Sequence, residues 1–139
     1  MEKLIEMLRN GGYSLVIDNG TVSTFDGRGV SDLYRLLETA PIFLKGALVA
    51  DKVVGKAAAA LMALAKVREV YAEVVSRPAL ELLESNRIKA TYGEVVPNII
   101  NRTGTGICPL ETRCMGCVTL ADCFMQILVF MEEMKNNKK

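Results

Sequence analysis

Four cysteines crowd into one stretch of the chain, Cys108, Cys114, Cys117 and Cys123, spaced Cys-x5-Cys-x2-Cys-x5-Cys. Such a set of soft ligands can wrap zinc or an iron–sulfur cluster, although the spacing matches no standard ferredoxin pattern. The Cys114/Cys117 pair also has the form of a thiol redox couple. Cys123, beside Phe124, equally fits a core position. Cys108 stands between a glycine-rich loop and Pro109, at an expected helix N-cap, where the helix end lowers a thiol's pKa. That points to a reactive thiolate, nucleophile or redox centre, with Glu111 or Asp51 as acid–base partner. An inert buried thiol is the competing reading, because cysteine is among the most buried residue types.

The chain contains no histidine. Every mechanism and every metal site that needs imidazole is thereby excluded. With 17 basic and 16 acidic residues, the net charge of +1 gives no electrostatic case for nucleic acid. No apolar run approaches the roughly 20 residues that span a bilayer, and the N-terminus lacks a signal-peptide core. A cytoplasmic location without membrane contact is expected. There, clustered thiols point to metal, redox or catalysis before structural disulfides.

A second chemical stretch is Ala47 to Ala65. A short apolar run, residues 47–50, meets Asp51-Lys52, and after a turn an alanine-rich helix starts near Gly55-Lys56. A buried strand feeding a helix is the building unit of parallel α/β sheets, whose ligands sit where strand ends meet helix N-termini. The stretch is no P-loop: Ala50 stands where the first glycine belongs and Ala57 where Ser or Thr belongs. Gly55 as a turn former and Lys56 as a solvated residue is the plainer reading. Asp51 could likewise hold loops together by pairing with Lys52, Lys56 or Arg102, and Asn101 could close its loop as an Asx turn.

The remaining pattern supplies the frame. Residues 2–10 predict an amphipathic helix stopped by Gly11-Gly12, and residues 13–17 and 21–25 predict a hairpin around Asp18-Asn19-Gly20. Asp26 to Gly29 reads as a loop. Ser31 reads as the N-cap of a helix closed by Pro41. Residues 68–75 and 88–92 predict strands, and Ser76 caps a helix ending at Asn86. Pro109 opens a short helix, and Thr119 caps a last one over about 120–134. Its stripe Phe124, Ile127, Leu128, Phe130, Met131 and Met134 serves the core or a homodimer.

Two motifs, Ala50-Asp51-Lys52-Val53-Val54-Gly55-Lys56-Ala57-Ala58-Ala59 and Asn101-Arg102-Thr103-Gly104-Thr105-Gly106-Ile107-Cys108-Pro109-Leu110-Glu111, resemble the signatures of a small prokaryotic family of unknown function. That family is grouped with the cytidine deaminase-like fold, and the resemblance covers roughly residues 1–112. It implies that the N-termini of the two motif helices face each other across one pocket. Two helix ends with Lys56 and Arg102 would suit an anion, such as a nucleotide or sugar phosphate. Lys56 would also depress the Cys108 pKa, and Gly104 and Gly106 would let the loop approach the ligand. The resemblance assigns only Cys108, among the four thiols, to its motif. It does not carry deaminase chemistry. Zinc deaminases hold the metal with His or Cys before Ala-Glu and with Pro-Cys-x-x-Cys, whereas this chain offers Gly55-Lys56-Ala57-Ala58 and Cys108-Pro109-Leu110-Glu111.

These readings predict one domain over 1–134 with a disordered basic tail at 135–139. Its fold class is a three-layer α/β/α sandwich with a mixed five-stranded sheet, cytidine deaminase-like. The expected site takes Cys108, Lys56, Asp51 and Glu111 as chemical groups and Lys52, Gly55, Asn101, Arg102, Thr103, Gly104 and Thr105 as ligand contacts. Its expected function is binding a nucleotide-like or other anionic small molecule between the two helix N-termini. The alternative is a metal or thiol redox module using Cys108, Cys114, Cys117 and Cys123, with zinc or an iron–sulfur cluster as cofactor.

Overall fold

A helix, a hairpin and three β-α repeats follow one another along the chain. In the computed structural model, residues 1–27, 30–101 and 103–136 are described. The elements are α1 (Glu2–Gly11), β1 (Leu15–Asp18), β2 (Val22–Phe25), α2 (Ser31–Thr39), α3 (Pro41–Leu44), β3 (Leu48–Val54), α4 (Lys56–Ala65), β4 (Glu69–Ser76), α5 (Arg77–Ser85), β5 (Lys89–Val96), α6 (Pro109–Cys114) and α7 (Leu120–Asn136). The sheet order is β2-β1-β3-β4-β5. β1 runs antiparallel to both β2 and β3, while β3, β4 and β5 are parallel. This is the expected mixed five-stranded α/β sheet.

Alternation along the strands divides the core. Val16, Ala50 and Tyr71 face α1 and pack with Leu4 and Leu8. Ile17, Val49, Val70 and Ala72 face the opposite way, into the larger core with α4 and α5. Helix α4 is buried along almost its whole length, and its small alanines let the sheet, α5 and α7 approach it closely. Arg9 fastens α1 to the sheet by bonding Glu73 and the Tyr71 hydroxyl.

The three parallel strands then break step together. Val54, Val75 and Val95 return to the α4 side five positions after Val49, Val70 and Ala90. An odd interval in a regular strand would place them on the opposite face. The pairing skips one rung at the same level, passing from Asp51↔Ala72 to Val53↔Val74 and from Ala72↔Tyr92 to Val74↔Glu94. Such a local break re-aims side chains, as β-bulges do. Val53 and Val74 are thereby turned away from the α4 core, and Val53 is 48% exposed.

Several sequence expectations are corrected. Residues 51–54 continue β3 instead of forming a turn, because the backbone of Asp51 pairs on both sides, with Leu15 and Ala72. β5 extends to Val96, past the expected end at Tyr92, since its backbone keeps pairing with β4. Ser31 lies inside α2, whose N-cap is Val30. Ser76 and Thr119 do cap their helices, accepting from Ala79 N–H and Asp122 N–H respectively. The helix α3 after Pro41 was not foreseen. α7 runs to Asn136, so Lys135 and Asn136 are helical instead of tail, and 137–139 lie outside the described residues. Its stripe serves mainly the core: Ile127 is buried, and Phe124, Phe130 and Met131 pack against the same cluster. No helix among the described residues is long and apolar enough to cross a membrane.

Candidate functional site

The carboxyl ends of β3, β4 and β5 converge on one side chain, Glu111. It is 2% exposed, on the short helix α6. Its Oε1 accepts from the backbone N–H of Lys56 at 2.8 Å and from the Ser76 hydroxyl at 3.1 Å. Its Oε2 accepts from the backbone N–H of Ile99 at 2.7 Å. One carboxylate thus closes the first turn of α4, the N-cap of α5 and the loop leaving β5. A helix N-terminus stabilises negative charge, and buried donors need acceptors, so the chain itself provides what a bound anion would provide.

Gly55, at the N-cap of α4, faces the same carboxylate. A Cβ there would meet Ile99 Cγ1 at 3.2 Å and Glu111 Oε2 at 3.3 Å. Its backbone is extended (φ −93°, ψ 178°), so glycine is favoured there by the tight space and not by turning. The Lys56 ammonium is engaged as well, donating to the carbonyls of Cys117 at 2.7 Å and Met115 at 3.3 Å. It secures the end of α6 instead of reaching toward a ligand.

The glycine- and threonine-containing loop closes on itself. Asn101 N–H donates to the Gly106 carbonyl, and Asn101 Oδ1 accepts from Thr105 N–H and the Thr103 hydroxyl. The Thr103 and Thr105 hydroxyls share a further bond at 2.7 Å. This is the Asx-type closure that was the structural alternative for Asn101. Gly104 takes a left-handed conformation (φ +71°) within that turn. Arg102 lies outside the described residues. Below the loop, Ile100 and Ile107 form a bridge and Cys108 N–H donates to the Ile99 carbonyl.

Cys108 is the N-cap of α6, as expected, but its side chain makes no capping bond and is half-buried against the core. Lys56, expected beside it, has its ammonium at the other end of α6. Asp51 is 7% exposed within β3. Burial pushes its carboxyl up to about 8; the N–H groups of Val53 and Lys52 oppose that, and Asp32 adds to it. Among the described residues, Asp51 forms no ion pair with Lys52 or Lys56. Lys52 is exposed, and its backbone N–H donates to the Ser14 carbonyl.

Cys114, Cys117 and Cys123 gather behind Lys56. Cys114 and Cys123 are buried and Cys117 half-buried. Desolvation raises the thiol of Cys114 to about 12 and that of Cys123 to about 11, with neighbouring thiols adding to each. Among the described residues, no three His, Cys, Asp or Glu side chains are arranged to hold a metal ion.

Open space lies beside Glu111, on the sheet face away from α4. A groove of about 430 Å³ is lined by Val53, Val74, Val96, Ile99, Ile100 and Ile107, with Pro97 and Asn98 completing its wall. Among the described residues, the Asn98 Oδ1 is buried without a hydrogen-bond partner. Sequence reasoning missed these groove residues. Their signal was the apolar pair Ile99-Ile100 with Ile107, standing in a stretch otherwise rich in Asn, Thr and Gly.

Residues 3–131 match a family described as a domain of unknown function, DUF1893. The chain is also similar to a solved DUF1893 family protein from Thermotoga maritima, with a TM-score of 0.84 and 26% identity. The likeness covers 92% of this chain and 87% of that one. No curated protein matches.

Proposed function

The chain belongs to the DUF1893 family, and from that premise we propose a small-molecule-binding domain of the three-layer, cytidine deaminase-like kind that works without zinc deamination. The groove beside Glu111 is its binding site. Its ligand is an uncharged heteroaromatic molecule of nucleoside size. One observation carries this reading: Glu111 occupies the anion position between the helix starts, while the adjacent apolar groove stays open. Apolar walls with a single polar side chain among them, Asn98, suit a flat ring. Its position past the carboxyl ends of parallel strands is the usual place for ligands in open α/β sheets. The anionic ligand expected from the sequence fits less well, because Lys56 and the α4 N-terminus already have partners.

Thermal melting with a panel of nucleosides and their monophosphates tests the reading. A matching nucleoside at about 100 times its Kd is expected to stabilise the fold by about 2.7 kcal/mol. Val74→Glu, which puts a charge on the groove floor, is expected to abolish that shift. Stabilisation by the monophosphates alone would favour the anion site, and no shift from any nucleoside would overturn the assigned ligand class.

A further inference from the structure

Away from the groove, at the amino-terminal ends of the parallel strands, cations gather on one rim. Lys45 precedes β3, Lys66 and Arg68 precede β4, and Arg87 and Lys89 stand at the entry to β5. All of them are exposed. Leu48, Glu69 and Lys89 lie at one level of the sheet, where neighbouring strands are about 4.8 Å apart, so the three loops lie side by side. Gly46 N–H donates to the Lys66 carbonyl and Arg68 N–H to the Ala47 carbonyl, which ties the first two loops together. Among the described residues, none of these cations is in an ion pair. Asp18, Glu69 and Glu84 reach the same end, and Asp18 Oδ1 already accepts the Gly20 N–H, so the excess charge is positive. Lys66 and Arg87 are also the non-glycine residues of positive φ among the described residues, both at 60°. Each follows a helix, α4 or α5, where glycine is the usual residue. The helix dipole favours a cation at those ends, but it does not call for Arg68 and Lys89 at the strand entries. Beside Lys45 and Lys66 the surface turns apolar. Pro41, Ile42 and Leu64 share a hollow of about 240 Å³ with those two lysines. Ile42 is 85% exposed, although α3 is held by Asn19, which donates to the Phe43 carbonyl, and by Phe43 edge-on against Phe25.

We propose that this rim docks on an anionic phospholipid membrane, with Ile42 entering the bilayer interface and Lys45, Lys66, Arg68, Arg87 and Lys89 facing the headgroups. Clusters of roughly four to eight cations bind anionic leaflets, and an apolar side chain among them supplies the second contact that stable attachment needs. Nucleic acid fits the rim less well, because these loops present no exposed aromatic ring on which a base could stack. The total charge of +1 conceals the segregation, so the expected absence of membrane contact is revised to a peripheral one. Docked this way, the protein holds the groove at the far ends of the strands, roughly 25 Å from the headgroups and open to solvent.

Full-length protein is sedimented with vesicles of phosphatidylcholine, with and without phosphatidylglycerol, and the bound fraction is measured. Binding is expected only where phosphatidylglycerol is present, and it is expected to vanish at about 1 M salt, where charges are screened within about 3 Å. Each cation removed is expected to weaken binding about fivefold. Lys66→Gly and Arg87→Gly remove charge at left-handed positions that suit glycine, so the fold survives both. The double variant is expected to bind about 25-fold more weakly than the wild type. Ile42→Ser is expected to weaken binding without changing its salt dependence. Arg77→Ala, at the opposite end of the sheet, is expected to bind as the wild type does. Failure to bind anionic vesicles, or equal binding by the double glycine variant, would overturn the proposal. Tighter binding to single-stranded RNA than to the vesicles would overturn it too, by assigning the rim to nucleic acid.

Discussion

Replacing Glu111 with alanine is expected to destabilise the fold by about 3–5 kcal/mol, because one buried and two part-buried donors lose their shared acceptor at once. The deficit falls on the starts of α4 and α5 and on the loop at Ile99, so all three carboxyl-terminal strand ends loosen together. Glu111→Gln separates charge from shape. Its oxygen can serve Lys56 N–H and Ser76, but its amide nitrogen would face the Ile99 N–H donor. Chemical denaturation should therefore rank wild type above Glu111→Gln and Glu111→Gln above Glu111→Ala. A Glu111→Ala protein within about 1 kcal/mol of wild type would show that the carboxylate is no structural hub.

Asp51→Asn is expected to change how stability depends on pH. The folded carboxyl sits at about 8 against an ordinary value of 3.8, raised chiefly by burial. Between those values the folded state holds a proton that the unfolded state has released, so stability from this group is full below about pH 4. It is lost as pH rises toward 8, at no more than about 1.4 kcal/mol per pH unit. Asparagine cannot ionise. The difference between Asp51→Asn and wild type should be near zero in acid and reach on the order of 3 kcal/mol in favour of the variant above pH 8. Urea unfolding across that range reads it directly. A difference that is flat, or that favours wild type as pH rises, would contradict the buried acid.

Much of the frame was legible because it rests on local pattern. The hairpin follows from Asp18-Asn19-Gly20, the starts of α5 and α7 from Ser76 and Thr119, and the core helix α4 from its alanines. The end of β3 was not legible. Asp51-Lys52 looks like a turn in sequence, and only pairing with β1 and β4 on both sides holds it extended. The site followed the same division. The residues around Gly55, Lys56, Asn101 and Glu111 do converge, but their roles depend on which partner lies across the fold. A glutamate in the first turn of a six-residue helix carries no sign in sequence that it will cap α4 and hold the Ser76 hydroxyl that caps α5. The groove was hidden for a related reason: Val53 and Val74 look like core strand residues until the shared break in alternation turns them outward.

The central claim is that Glu111 already fills the anion position, leaving the neighbouring groove as the open site. A titration of inorganic phosphate against the melting temperature, at constant ionic strength, tests it most directly. The account predicts no saturable shift in the wild type, with phosphate acting only as other salts of equal strength do. Saturable stabilisation by phosphate that Lys56→Ala removes would contradict it, by showing that the place between the helix starts is open to an external anion.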